Sequence, residues 1–271
     1  MLFNQLFRSS STPNIDLAVK SSAFALIATL FSLTLVDCSS TPKPRDQEKA
    51  QLYLQLGTSH LQQGNYPSAL RALLDSERLD PTNPITQNNL GIAYLVREKY
   101  DVAENHFKRS LELKPDYTDA RNNLGRLYLD VGMFPRAVKE LEVAAKDLTY
   151  DQPEKSWSNL GQAYFFSTQY PRAKVAFLNS LKSRPGSCYT MNYYGRTLFE
   201  LKEFKTAAES LDQAIRLCEK SKFEEPHFYS AMSFYKLGSV ELARTRFEEV
   251  LQLYPHGSYA TKAKEMLELM K

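Results

Sequence analysis

A small residue returns along this chain with a period of about 34: Gly57, Gly91, Gly125, Gly161 and Gly195 share one column, and Ala231 takes the sixth place. Twelve residues after each comes an alanine, at Ala69, Ala103, Ala137, Ala173, Ala207 and Ala243. Four further on is a large apolar residue: Leu73, Phe107, Leu141, Phe177, Leu211 and Phe247. Prolines at Pro81, Pro115, Pro185 and Pro255 close four of the six units. Self-similarity at such a period marks a repeat array, in which one unit cannot bury its apolar face alone and stacked neighbours form a continuous core. The steps from Gly125 to Gly161 and from Gly195 to Ala231 are each 36, so two extra residues lie in the linkers before the fourth and sixth units.

These columns resemble the tetratricopeptide repeat, a helix–turn–helix unit of about 34 residues with Leu-Gly, Ala, large-apolar and Pro at fixed offsets. The resemblance covers about residues 50 to 256. It implies an all-α fold, a right-handed α-solenoid of six TPR helix–turn–helix units. The glycine and alanine columns are then expected where helix A and helix B of one unit cross, and the Leu/Phe column between neighbouring units. Pro67, Pro135 and Pro171 fall in the first turn of helix B, where the missing N–H costs nothing. The closing prolines end helix B. Ser258 is expected to N-cap a C-terminal capping helix through Leu269, which covers the end of the stack.

The N-terminus is a separate matter. Ser21 to Val36 is apolar apart from a few hydroxyls, about 16 residues long. That is short of the ~20 a spanning helix needs and matches the h-region of an export signal. It ends at Leu35-Val36-Asp37-Cys38, and Ser39 to Arg45 then reads as a tether. A cysteine three residues after a leucine at the end of an h-region resembles the lipobox of bacterial lipoproteins. In that family the thiol carries diacylglycerol and the signal is cut before it. Asp37 departs from the small residue usual before the cysteine. The other reading is an ordinary signal peptide or an uncleaved anchor. The expected organisation is an export signal over 1–37, a lipidated tether over 38–49 and the solenoid over 50–271.

Cys188 and Cys218 are the remaining cysteines. In the repeat frame Cys188 opens helix A of the fifth unit and Cys218 closes its helix B, and those ends are neighbours in an antiparallel pair. A disulfide there would close a loop of about 30 residues and stabilise the fold by roughly 3.5 kcal/mol on the chain-entropy model. The alternative is two buried thiols acting as small apolar fillers.

Chemistry is nearly absent. With 34 basic and 31 acidic residues the net charge is +3, which makes no case for nucleic acid. His60, His106, His227 and His256 share no spacing with Cys, Asp or Glu that suggests a metal site. No phosphate-binding glycine loop, nucleophile elbow or Cys–His pair occurs. The expectation is a protein that is not an enzyme, with no cofactor and no small-molecule substrate.

Recognition remains. The tetratricopeptide resemblance places the A helices on the concave face, with Leu54, Leu61, Ile85, Ile92 and Leu95 as an apolar strip over the first two units. From the third unit on the face turns mixed, with Arg126, Phe165, Arg196 and Phe199. A peptide or partner helix would cover such a strip, unless part of it packs against a neighbouring helix. In peptide-binding members an asparagine before the Leu-Gly pair bonds the ligand backbone. Here that column is Asn89, Asn123 and Asn159, for which local capping is the other account.

Anchor and array together resemble the pilotins of type IV pili (the PilF/PilW type), outer-membrane lipoproteins that help the pilus secretin form its ring. The resemblance implies an envelope adaptor, lipid-anchored at Cys38 in the outer membrane and facing the periplasm, with an inner-membrane or soluble periplasmic location as the alternative. Its partner would be a protein, the secretin. The rival is a scaffold lipoprotein that docks peptidoglycan hydrolases or synthases.

Overall fold

The computed structural model describes residues 44–221 and 223–271, so the expected export signal and Cys38 lie outside the described residues. Six antiparallel helix pairs follow one another: α1 (Pro44–Gln62) with α2 (Tyr66–Leu79), α3 (Pro84–Leu95) with α4 (Tyr100–Leu113), and α5 (Thr118–Asp130) with α6 (Phe134–Ala145). Then come α7 (Pro153–Phe166) with α8 (Tyr170–Ser183), α9 (Cys188–Glu200) with α10 (Phe204–Cys218), and α11 (Glu225–Lys236) with α12 (Val240–Leu253). A 3₁₀ turn, Glu219–Ser221, precedes the sixth pair, and α13 (Ala260–Leu269) closes the array.

Local chemistry sets the boundaries. Pro67, Pro135 and Pro171 sit in the first turns of α2, α6 and α8. The helices ahead of Pro81, Pro115, Pro185 and Pro255 end two residues before them. The residue preceding each of those prolines leaves the helical region, as at Asp80 with φ −141° and ψ 88° and Lys114 with φ −141° and ψ 89°, because the proline ring disfavours the helical region there. Between helices A and B the chain turns through a left-handed residue in every unit. These are Gly64, Glu98, Gly132, Thr168, Lys202 and Gly238, with φ between 58° and 75°. The following N–H reaches back over the last turn, as in Gln169 N–H to Tyr164 O at 2.8 Å, which is the Schellman closure of a helix end.

Two expectations are corrected at the ends of the array. Residues 44–49, read as part of a tether over 38–49, are helical as part of α1 (Pro44–Gln62), with Asp46 in its first turn. Helix α13 begins at Ala260, and Ser258 does not cap it. The backbone N–H and hydroxyl of Ser258 both go to Glu224 Oε1, at 2.8 and 2.5 Å.

The core explains the columns, with one change from the sequence frame. In the first five units the large apolar residue fills the space above its own unit's glycine, in addition to meeting the neighbouring unit. A Cβ on Gly125 would stand 2.5 Å from Leu141 Cγ, and one on Gly161 2.5 Å from Phe177 Cδ1. One buried cluster runs without a break from Ala103 through Leu124, Leu141 and Leu160 to Phe177. A further column ties helix B to helix A: the hydroxyls of Ser76, Ser110 and Ser180 donate to the carbonyls of Ala50, Pro84 and Glu154, each 26 residues earlier, at 2.7 to 2.9 Å. Within the fifth unit Cys188 and Cys218 are joined as a disulfide, their Cα atoms 5.2 Å apart.

Candidate recognition face

Helix A of each unit touches helix A of the next, whereas successive B helices do not pack together in the same way. The A helices therefore lie on the inside of the curve, and their outward-facing residues line the concave side. That convergence also decides which of the expected groove residues are accessible.

The apolar strip is largely core. Leu54 is 4% exposed and packs with Leu73, Leu90 and Ala93, and Leu61 leans on the same cluster. Ile92 and Leu95 are half-buried against the next cluster. Phe165 is 7% exposed, and Phe199 is half-buried over Leu198 and Leu211. Ile85 alone of the strip is well exposed, at 45%. Leu54 and Phe165 are thus corrected from groove to core: adjacent A helices approach closely on the inner side, and the large side chains between them fill the gap.

The asparagine column does a structural task. Asn89 is buried, and its Nδ2 donates to Thr58 Oγ1 of the preceding unit at 2.9 Å. Asn123 Nδ2 reaches Asn88 Oδ1 at 2.9 Å, and Asn159 Nδ2 reaches Asn122 Oδ1 at 3.1 Å. These bonds staple α3, α5 and α7 each to the A helix before it, and Asn89 is withdrawn from any ligand. Asn123 and Asn159 remain partly exposed. Among the described residues no protein donor meets their Oδ1 atoms, so each keeps a carbonyl acceptor free.

Those two acceptors border a polar cleft of about 670 Å³ between the third, fourth and fifth units. Arg126, Lys155, Gln162 and Arg184 complete its rim, with Glu154 the acidic residue among them. Arg126 is paired with Asp130 at 2.8 Å. The arrangement can accept hydrogen bonds from a backbone N–H and meet negative charge, and it holds no nucleophile–base pair. Among the described residues no group of three His, Cys, Asp or Glu stands together as metal ligands, and no helix is long and apolar enough to cross a membrane.

The sequence reading missed a buried polar knot beside this cleft. Arg196 of α9 pairs with Glu225 of α11 at 2.8 Å, their side chains 14% and 15% exposed. The guanidinium lies over the rings of Phe165 and Tyr229, 4.6 and 4.8 Å from their centres. Glu225 also accepts from Asn192 Nδ2 at 2.6 Å and from the Tyr259 hydroxyl at 2.9 Å, which links the fifth and sixth units to α13. Burial and the Glu225 charge push the Tyr259 hydroxyl well above its ordinary value, so it stays a donor. The repeat frame carried a signal for this pair: Arg196 directly follows the glycine column and Glu225 stands six residues before the next small residue, positions that face each other on successive A helices.

A second cleft of about 700 Å³ opens between the fifth unit, the sixth unit and the loop of residues 254–259 that leads into α13. Tyr189 and Tyr193 line both clefts.

Models of the tetratricopeptide repeat match residues 54–117 and 158–222, 94–153, and 227–257. The type IV pilus assembly protein PilF of Pseudomonas aeruginosa is 25% identical over 142 residues, 52% of this chain and 56% of PilF. The chain thus matches just over half the length of that relative. Stress-induced-phosphoprotein 1 of Caenorhabditis elegans is 25% identical over 236 residues, 76% of this chain and 73% of that protein. Among solved structures, that of Pseudomonas aeruginosa PilF superposes with a TM-score of 0.73 over 84% of this chain and all of the other, at 18% identity. PilW, described as a widely conserved type IV pilus biogenesis factor, gives 0.71 over 79% of this chain and 97% of the other, also at 18%. At that identity the two structures speak for the fold. Repeat columns, helix pairs and matched models agree across all six units, and the chain belongs to the tetratricopeptide-repeat family.

Proposed function

We propose that the protein is an envelope adaptor that binds a partner polypeptide on the concave face of its solenoid, as a pilotin assisting assembly of the type IV pilus secretin. The observation that carries this reading is the polar cleft on the inner face. The free acceptors of Asn123 and Asn159 offer hydrogen bonds to a peptide backbone, and Lys155 and Arg184 offer charge to its side chains, with nothing in the cleft suited to catalysis. Similarity to PilF and PilW along the solenoid supports the pilus assignment, and the lipobox-like run ending at Cys38 supports outer-membrane anchoring through several acyl chains, durable where one would be marginal.

The test is an in-cell crosslink followed by purification from solubilised envelopes, with bound proteins identified by mass spectrometry. The wild-type chain is compared with the Ile85→Asp and Lys155→Glu variants, both at exposed positions. Recovery of a secretin that the variants lose is expected. Recovery of peptidoglycan hydrolases or synthases instead would overturn the pilotin reading in favour of a cell-wall scaffold. Cys38→Ala is expected to move the protein from the membrane pellet to the soluble fraction, and a variant that still pellets would refute anchoring through that thiol.

A further inference from the structure

We infer that the cleft between the fifth unit, the sixth unit and the loop before α13 receives a basic side chain, arginine or lysine, of the bound polypeptide. The inference rests on the adaptor reading and adds the chemistry of the partner to it. Three observations carry it.

The first is a carboxylate held in place with no cation beside it among the described residues. Glu224 and Glu225 both line this cleft. Glu225 is neutralised by Arg196 at 2.8 Å. Glu224 has no cation within 4 Å among the described residues. Its carboxylate accepts from Ser258 N–H at 2.8 Å, Ser258 Oγ at 2.5 Å and Tyr259 N–H at 3.5 Å. Those donors are neutral, so they fix its orientation and leave its charge. A carboxylate has about four acceptor sites, so capacity for a guest donor remains. Gly257 makes the arrangement possible: a Cβ there would stand 1.7 Å from Glu224 Oε2.

The second is the wall. Tyr189, Tyr193, Phe223, Tyr254 and Tyr259 border the cleft. Tyr189 is 60% exposed and its ring lies 5.1 Å from that of Phe223. Aromatic faces beside a carboxylate suit a cation with an alkyl stem, which gains cation–π attraction and apolar contact together. An anionic guest would meet Glu224, and a purely apolar one would cover that charge without a partner, which is costly.

The third is contrast with the adjoining cleft, where Lys155 and Arg184 face a single Glu154 and Arg126 is already paired with Asp130. A basic side chain is repelled there and attracted here. Because Tyr189 and Tyr193 belong to both clefts, a segment laid across them has its direction set by the two signs.

The experiment titrates the full-length protein, in detergent, with fluorescein-labelled Gly/Ser pentapeptides carrying a central Arg, Lys, Gln or Glu, read by fluorescence polarisation. Arg and Lys probes are expected to bind about tenfold more tightly than the Gln probe, more weakly at high salt, and the Glu probe not at this cleft. Glu224→Gln, whose one carbonyl oxygen still accepts from the Ser258 N–H and hydroxyl, should remove most of the preference. Tyr189→Ala, at an exposed ring, should weaken the Arg probe with the melting temperature unchanged. Equal binding of the Arg and Gln probes, or an unchanged Arg preference in both variants, would overturn the inference. The adaptor reading fails separately: a secretin recovered equally by wild type and Glu224→Gln leaves pilotin function standing and removes this cleft from it. Preserved Arg selectivity with no secretin recovered does the reverse.

Discussion

Phe107 lies over Gly91 so closely that a Cβ on the glycine would stand 2.5 Å from the ring's Cε1. Phe107 is fully buried, so the ring has nowhere to retreat. A helical Gly→Ala change ordinarily gains up to about 1 kcal/mol in propensity, but overpacking costs about 1–3 kcal/mol. Gly91→Ala is therefore expected to destabilise. In a Phe107→Ala background, where the space is open, the same change should become neutral or stabilising. Urea unfolding of the four proteins in that cycle checks the sign reversal, and an equal loss in both backgrounds would refute the packing account.

Thr168 occupies a left-handed position, φ 58°, that is glycine in three of the six units. A β-branched residue there costs about 1 kcal/mol more than glycine, and the Thr168 side chain is exposed. Thr168→Gly should raise stability by about 0.5–1 kcal/mol even though it removes atoms, and Gly132→Thr should lower it by a similar amount. Thermal melts showing both changes with the same sign would contradict this.

Breaking the Arg196–Glu225 pair from one side leaves a largely buried guanidinium uncompensated. Glu225→Leu is expected to cost about 3 kcal/mol, and the double variant with Arg196→Leu less than that single one, because it removes the stranded charge. Hydrogen exchange should locate the loss in α9, α11 and α13. A double variant worse than Glu225→Leu would show that the aromatic stack over Arg196 outweighs the charge.

Acid should weaken the fold in two stages. Burial holds His106 below the ordinary histidine value of 6.5, outweighing the opposing pull of Glu77, and burial does the same at His227 against Glu249. The unfolded chain then binds more protons than the native one, so stability is complete above 6.5 and falls as pH drops toward the native values. Bonds from Lys108 and Tyr128 hold Glu104 below 4.5, and bonds from Tyr164 and Arg172 do so for Glu142. Their contribution is present above 4.5 and lost as pH falls through the native values. Replacing both histidines by Gln should flatten the first stage only, as read by denaturant midpoints against pH. An unchanged slope would remove the histidines from the account.

Leu54 and Ile85 were alike in sequence and differ in place. Leu54→Ala should cost about 2–4 kcal/mol through the cavity it leaves. Ile85→Ala should stay within about 0.5 kcal/mol and reduce partner recovery in the crosslinking assay. Equal stability losses would mean that the inner face is packed differently from the structure described above.

The repeat itself was legible because its causes are local and recur. A small residue under a bulky one leaves its mark at a constant offset in all six copies, and a proline after helix B does so in four of them. The serine column of Ser76, Ser110 and Ser180 was equally periodic and went unread, since alanine and valine replace it in the other units and hydroxyls carry no hydropathy signal.

Which side chains of the A helices face a ligand was another matter. Leu54, Ile85 and Phe165 are all large apolar residues on A helices, and Asn89 and Asn159 share one column. Their fates differ by how closely the neighbouring unit approaches, a distance set by side chains 30 or more residues away. The sequence alone determined the array, its six units and the proline-marked ends of their helices, because short-range sterics specify them. Only the tertiary structure decided that Leu54 and Phe165 belong to the core while Ile85 stays exposed, and it alone joined Arg196, Glu225 and Tyr259 and set Glu224 into an aromatic cleft. Those contacts arise between successive units, where stacking geometry governs what remains open.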